Sequence, residues 1–409
     1  MAGTILELGN NKYRFMVWCK SEYDNKRVRK SKVVIAKSKR EADKKLAEFV
    51  TECEHKFSLG GSTMTFEQFS KKWIDEYAKP NLSPVTVEGY DRELKNRIVP
   101  ALGNLIITEL KPMHIIHFYN ELLIAPRLDG QEGVLSGRSR NNVHRILSSM
   151  LTNAVYWQLI SENPVKRVRP PKQEKHKAKF YNEEETIRML SCLEGEDMKY
   201  KVAVHIAILT GMRRGEILGL EWRDIDFDKH EVNLERSSVY TETNGVIEKD
   251  TKTHTSRTLS IPIELCELLK RYRKHWLEQK FKLGSIWQET DRLMVQWDGK
   301  PMFPATLSHW FGKFLKKNDL PQITFHELRH TSATLLINLG IDVATVAKRL
   351  GHAQNSTTLN FYTHAISSAD KAAAEKLGGR LVHIPPLKSR QERVSERYGT
   401  AESSVFGDF

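Results

Sequence analysis

Cysteine is scarce. The 409 residues hold four, Cys19, Cys53, Cys192 and Cys266, far apart and with neither a C-x-x-C pair nor zinc-ribbon spacing. Dispersed thiols of this kind fit a reducing compartment and small buried side chains, and they exclude a disulfide framework. Long hydrophobic runs are missing too. No stretch approaches the ~20 apolar residues of a spanning helix, and mean hydropathy is −0.49. The opening Met1-Ala2-Gly3-Thr4-Ile5-Leu6-Glu7 has no charged n-region followed by an apolar stretch, so a secretory signal is not expected and a cytoplasmic location is. Acidic charge is in deficit: 51 Asp+Glu face 64 Lys+Arg, a net +13. That excess points to a polyanion, and without a membrane span nucleic acid is the better choice. There is also no Walker G-x-x-x-x-G-K-[ST] pattern.

What is present supports folded domains. Apolar residues make up 40% and aromatics 9%, enough for sizeable cores. At roughly 150 residues per domain the chain has room for about three. Residues 3–36 alternate apolar and polar in two or three strands, with Tyr13, Phe15 and Val17 on one face and an Asp24-Asn25 turn. A helix follows from about Ser38, its N-cap, to Phe57, with Ala42, Leu46, Phe49 and Val50 on one stripe. This first unit, residues 1–58, is rich in basic residues, among them Lys26, Arg27, Arg29, Lys30 and Lys32. Such a cluster can lie against phosphates or enter a groove as a β-element, or simply solvate the surface.

Residues 63–168 read as helical throughout. Thr65 opens the first helix and Pro80 ends it; Ser83-Pro84 starts another, stopped by Pro100 and Gly103; Ser139 caps a long one. Arg138 and Arg140 in its first turns are candidate backbone contacts. Val165 to Lys172 forms a proline-stiffened basic linker with Lys166, Arg167 and Arg169, too polar to pack, that extends through residues 169–179. Residues 180–377 form a third unit, and 378–409 a tail without periodicity.

Three segments of the third unit carry candidate chemistry. In Leu209-Thr210-Gly211-Met212-Arg213-Arg214-Gly215-Glu216 a helix starting near Met212 puts Arg213 and Glu216 on one face. In Thr324-Phe325-His326-Glu327-Leu328-Arg329-His330 two readings collide. H-E-x-x-H suits zinc with Glu327 as general base, whereas His326 and Arg329 three apart suit phosphate. The third is Leu350-Gly351-His352, after a helix from about Val343 to Arg349 that Gly351 ends, with Tyr362 ten residues beyond the histidine.

Together these segments resemble the tyrosine recombinase (phage integrase) family over nearly all of residues 65–377. The resemblance implies a multidomain α+β protein. It comprises a small N-terminal β-sheet-plus-helix domain of the arm-binding type, an all-helical, SAM-like core-binding domain, and a mainly helical catalytic domain with a small antiparallel sheet. Residue by residue it assigns Arg213 as the first arginine, Glu216 as its supporting acid and Lys252, in the segment Asp250 to Pro262, as the hairpin lysine. His326 and Arg329 fill the H-x-x-R box, His352 is the second histidine and Tyr362 the nucleophile. It implies no metal and no cofactor.

The chemistry accounts for these residue types. A pentacovalent phosphate needs its charge neutralised, which two arginines do in bidentate fashion. A phenol with a free pKa near 10 needs help losing its proton. The departing 5′ oxygen needs a proton from Lys252, worth ~10²–10⁴-fold. The family pattern implies a 3′-phosphotyrosyl intermediate, a Holliday junction and a homotetramer on double-stranded DNA with core and arm attachment sites. It places the enzyme in the host cytoplasm and nucleoid, and leaves room for an excisionase and a host DNA-bending protein as partners. A zinc metallopeptidase built on His326 to His330, or a DNA-binding regulator that has lost activity, are the alternatives.

Overall fold

The computed structural model describes residues 3–20, 27–58, 64–127, 130, 132–174, 179–250 and 257–351. Contacts divide the chain into two compact units, residues 1–177 with 241–245, and residues 178–240 with 246–409.

The first unit begins with an antiparallel sheet of β1 (Gly3–Gly9), β2 (Lys12–Lys20) and β3 (Arg27–Ile35), followed by α1 (Lys39–Ser58). The β1–β2 turn is made by Asn10 and Asn11, both at positive φ (51° and 58°), the backbone that a two-residue hairpin needs and asparagine tolerates. The Asp24-Asn25 turn lies outside the described residues. Tyr13, Phe15 and Val17 are buried under α1, with Ala42, Leu46, Phe49 and Val50 against them, and Ser38 Oγ accepts the Glu41 N–H as its cap.

Next come α2 (Phe66–Trp73), α3 (Lys79–Asn81), α4 (Pro84–Glu93), α5 (Val99–Leu102), α6 (Pro112–Ile124) and α7 (Gly137–Tyr156). Two expectations fail here for one physical reason. Neither Pro80 nor Pro100 stops its helix. Each follows a wide π-helical turn, Ile74–Ala78 and Leu94–Ile98, whose closing bonds run from Lys79 N–H to the Ile74 carbonyl and from Val99 N–H to the Leu94 carbonyl. A proline ring clashes with the carbonyl four residues back in a regular α turn, and the wide turn relieves that contact. The first helix ends at Leu82; the second ends at Gly103, the glycine expected to stop it together with Pro100. Over the first turn Trp73 is fully buried and stacks on Tyr77 and Tyr90 at 5.5 and 5.9 Å.

Ser139 is likewise not the cap of α7. Ser136 is, and its Oγ accepts the Ser139 N–H at 3.2 Å. Nor does the basic linker stay clear of the fold. Val165 is fully buried, and the Pro171 carbonyl accepts from Asn141 Nδ2. A Cβ on Gly137 would sit 2.6 Å from the Lys172 carbonyl oxygen. The linker's backbone and its apolar Val165 side chain make these contacts.

The second unit comprises α8 (Glu183–Cys192), α9 (Met198–Thr210), α10 (Arg214–Gly219), β4 (Ile225–Asp226), β5 (Glu231–Leu234), β6 (Arg236–Thr241), β7 (Gly245–Asp250), β8 (Arg257–Ser260), α11 (Ile263–Leu283), α12 (Pro304–Lys317), α13 (Glu327–Asn338) and α14 (Val343–Leu350). Strands β4, β5 and β8 form one small antiparallel sheet, and β6 and β7 pair separately. Helix α9 is apolar on all sides, with Val202, Ala203, Val204, Ile206 and Ala207 buried, so it takes the centre against α11 and α13. No helix among the described residues is long and apolar enough to cross a membrane.

Candidate active site

Two helix ends build the site. α9 ends at Gly211 and α14 at Gly351, both left-handed at φ 68°. The positive φ favours glycine at each, and side chains crowd both. A Cβ on Gly211 would lie 2.5 Å from Leu350 Cδ2, and one on Gly351 2.8 Å from Arg257 Nη1. Helix C-termini leave carbonyls unpaired and carry partial negative charge. Two arginines take them up. Arg329 donates from Nη1 to the Gly211 carbonyl at 2.8 Å and from Nη2 to the Leu350 carbonyl at 2.6 Å, while Arg213 Nη2 donates to the Gly351 carbonyl at 3.3 Å.

Arg213 is the N-cap of α10, so the helix starts at Arg214, two residues after the expected start near Met212. Its own N–H donates to Glu216 Oε2 and its Nη1 to Glu216 Oε1, both at 2.8 Å. Glu216 is 2% exposed and also accepts from Arg257, Nη1 to Oε1 at 3.2 Å and Nη2 to Oε2 at 2.8 Å. Burial works against ionising this carboxyl, but the hydrogen bonds and charge of Arg257, joined by Arg213, outweigh it and hold the pKa below the ordinary carboxylate value. Arg213 keeps 31% of its side chain exposed; Arg329 is 3% exposed.

His326 stands at the N-cap of α13 beside these charges. It is exposed, yet partial desolvation, then the positive charge of Arg329 and Arg213, lowers its pKa. It is therefore a neutral imidazole near pH 7, able to accept a proton. His330 packs edge-on against it at 5.4 Å, and its pKa falls to about 4, chiefly through burial. Glu327 accepts from two backbone N–H groups. Its Oε1 accepts the Lys179 N–H at 3.1 Å and its Oε2 the Thr324 N–H at 2.6 Å, pinning the chain that enters this unit to the start of α13. No group of three metal-ligating side chains occurs among the described residues.

The structure thus brings together Arg213, Glu216, His326 and Arg329. Lys252, His352 and Tyr362 lie outside the described residues, as does Lys26. Strand register divides the remaining basic residues of the N-terminal sheet. Lys30 and Lys32 pair with Val17 and Phe15 on the α1 side, Lys32 over the Phe49 ring at 5.7 Å. Arg29 pairs with Trp18 on the open side, where Arg14, Leu6 and Val33 are also exposed. Arg27 belongs to β3. Arg138, Lys166, Arg167 and Arg169 are exposed and Arg140 is half-buried; Arg167 pairs with Glu162 at 2.6 Å. Sequence reasoning missed Arg257, whose partner Glu216 lies 41 residues away with no local spacing to betray it. It missed Arg14 and Trp18 too, although the period-2 alternation of β2 carries that signal.

A family model described as "Phage integrase family" matches residues 179–368, and one described as "Phage integrase, N-terminal SAM-like domain" matches residues 65–123. Over 388 residues the chain is 28% identical to the "Tyrosine recombinase XerC-like" protein of Caldanaerobacter subterraneus subsp. tengcongensis, covering 90% of this chain and 96% of that one. It is 31% identical over 243 residues to the ICEBs1 integrase of Bacillus subtilis, covering 59% and 66%. Among solved structures, the Tn1549 transposon integrase in complex with a circular intermediate DNA aligns at TM-score 0.63 and 23% identity, over 77% of this chain and all of that one. The lambda integrase dimer bound to a core site aligns at 0.52 and 20%, over 73% and 95%.

With its helical, SAM-like domain and arginine-lined helix ends, the chain belongs to the phage integrase family, the tyrosine recombinases. It is a site-specific DNA recombinase of the kind carried by phages and mobile elements.

Proposed function

We propose that this recombinase cuts and rejoins DNA with Tyr362 as nucleophile and Arg213, His326, Arg329, Lys252 and His352 as the groups around the scissile phosphate. The observation that carries the reading is the pair of arginines fixed on three carbonyls at two helix ends, beside a neutral histidine. Their charge is in place before substrate arrives, so stabilising the pentacovalent phosphate needs little reorganisation. His326, neutral and flanked by positive charge, takes the phenol proton. The Tyr362 oxygen bonds to phosphorus, the 5′ oxygen leaves with a proton from Lys252, and His352 donates to a phosphate oxygen. Glu216 orients Arg213. The energy of the broken bond is kept in the 3′-phosphotyrosyl link, so rejoining needs no ATP.

Two exchanges through a Holliday junction, carried out by four protomers in the host cytoplasm and nucleoid, would integrate an element, and the reverse would excise it. An excisionase and a host bending protein would set direction. DNA is the partner in the solved relatives, whose descriptions name circular intermediate and core-site DNA. The open sheet face supports a second, arm-type contact. Lys12, Arg14 and Arg29 surround the exposed Trp18, Leu6 and Val33, and no acidic residue shares that face among the described strands. Three strands ~4.8 Å apart span about 10 Å, a width the ~12 Å major groove admits.

The test is incubation of wild type and Tyr362→Phe with nicked attachment-site DNA in EDTA, followed by a denaturing gel. A protein–DNA band in wild type alone is expected, with both proteins binding the DNA. A band of equal strength in both would overturn the role of Tyr362, and binding without a band in either would favour a regulator.

A further inference from the structure

The pair β6–β7 leads directly into the segment that holds Lys252, and it is seated on α10, the helix capped by Arg213. Two glycines one turn apart make this seat. A Cβ on Gly215 would fall 2.5 Å from Ser237 Oγ and 3.0 Å from the Ser238 carbonyl oxygen. One on Gly219 would fall 2.8 Å from the Arg236 carbonyl oxygen. Strand β6 therefore lies close against α10 at both glycines.

Charge then locks the two strands. On β6, Arg236 Nη1 lies 2.7 Å from Asp224 Oδ2 and 3.1 Å from Glu221 Oε2. On β7, Glu248 Oε1 accepts from Arg292 Nη2. Arg292 is 4% exposed; its Nη1 donates to the Gly219 carbonyl at the end of α10, and its Nε stands 3.7 Å from Glu221. An arginine this buried is costly unless every side of it is paired, and here its partners are the C-terminal carbonyl of the Arg213 helix and the strand that runs to Lys252. Beyond that segment, Arg257 at the start of β8 returns to Glu216.

We infer that Arg292 is a positioning residue for strand cleavage: through Glu248 it fixes β7, and with it the approach of Lys252, relative to Arg213. The inference rests on the reading of Lys252 as the group that protonates the leaving 5′ oxygen. The position matters because a misplacement of about 1 Å at a reacting group costs up to ~10²-fold in rate.

Sulfur in place of the bridging 5′ oxygen separates positioning from general damage. When the phosphorus–oxygen bond to Tyr362 forms and the phosphorus–sulfur bond breaks, the thiolate leaves with its electron pair and no proton, since a thiol pKa is near 8.5. Loss of the acid then no longer slows the step. Single-turnover cleavage is measured at saturating DNA on oxygen-bridged and sulfur-bridged substrates, with Lys252→Ala, Glu248→Gln and Arg292→Gln against wild type. Because Arg292 is buried, its variant is scored only after thermal unfolding shows it folded; the exposed Glu248 carries the test regardless.

Lys252→Ala is expected to lose ~10²-fold or more on the oxygen substrate and to recover on sulfur. Glu248→Gln is expected to lose about tenfold on oxygen and to return close to wild type on sulfur. If Lys252→Ala recovers but Glu248→Gln is unaffected, or is slowed equally on both substrates, the positioning role is wrong. If Lys252→Ala stays slow on sulfur, the reading of Lys252 fails and the inference falls with it.

Discussion

The arginines of the two ends of this chain live under opposite conditions. In the second unit Arg213, Arg257, Arg292 and Arg329 each donate to two or more acceptors, chiefly helix-end carbonyls, the buried Glu216 and the exposed Glu248. On the N-terminal sheet Arg14 and Arg29 are exposed. Under the proposed function, Arg213 and Arg329 hold charge at the reacting phosphate, and Arg14 and Arg29 meet a DNA backbone whose path varies with sequence. Chemistry needs preorganised charge, and backbone tracking tolerates mobile charge.

Removing charge in the first set should therefore cost stability, and in the second only affinity. The largest effect falls on Glu216→Gln. Two arginines lose their shared counter-charge in a buried site, which costs about 3–5 kcal/mol; urea unfolding at pH 7 measures it, and a loss no larger than a surface change would erase the distinction. His330 comes next. Its pKa is lowered to about 4 in the folded chain, while the unfolded chain takes up its proton near pH 6.5. The unfolded state thus binds more protons between those values. The contribution is complete above pH 6.5 and falls by up to about 3 kcal/mol as pH drops toward 4. His330→Leu should flatten the difference between unfolding at pH 7.5 and at pH 4.5. Smallest in stability is Arg29→Ala, within about 0.5 kcal/mol of wild type. It should weaken arm-site binding and reduce the slope of affinity against salt by about one, read by fluorescence anisotropy across a salt titration.

The two regions also differed in how far sequence could reach. The N-terminal sheet was legible wherever alternation ruled: Tyr13, Phe15 and Val17 are buried together, as their spacing requires. The same alternation splits Arg29 from Lys30 and Lys32, a distinction that composition alone hides. In the second unit the motif residues Arg213, Glu216, His326 and Arg329 converge, and Gly351 ends its helix as expected. What stayed hidden there depends on partners far along the chain: Arg257 meets Glu216 from 41 residues away and Arg292 meets Glu248 from 44. The chain passes Pro80 and Pro100 as helix because a wide π turn precedes each, and such turns have no spacing of their own in the sequence; Gly103 ends the second helix as expected.

The central claim, that the chemistry belongs to the arginines fixed at the helix ends and not to the exposed ones of the N-terminal sheet, is tested most directly by one measurement. That measurement is the single-turnover cleavage rate of core-site DNA at saturating protein for Arg213→Ala beside Arg29→Ala. The account predicts that Arg213→Ala binds the DNA but cleaves it ~10²–10³-fold more slowly, while Arg29→Ala cleaves at the wild-type rate. Wild-type cleavage by Arg213→Ala, or a comparable loss in Arg29→Ala, would contradict it.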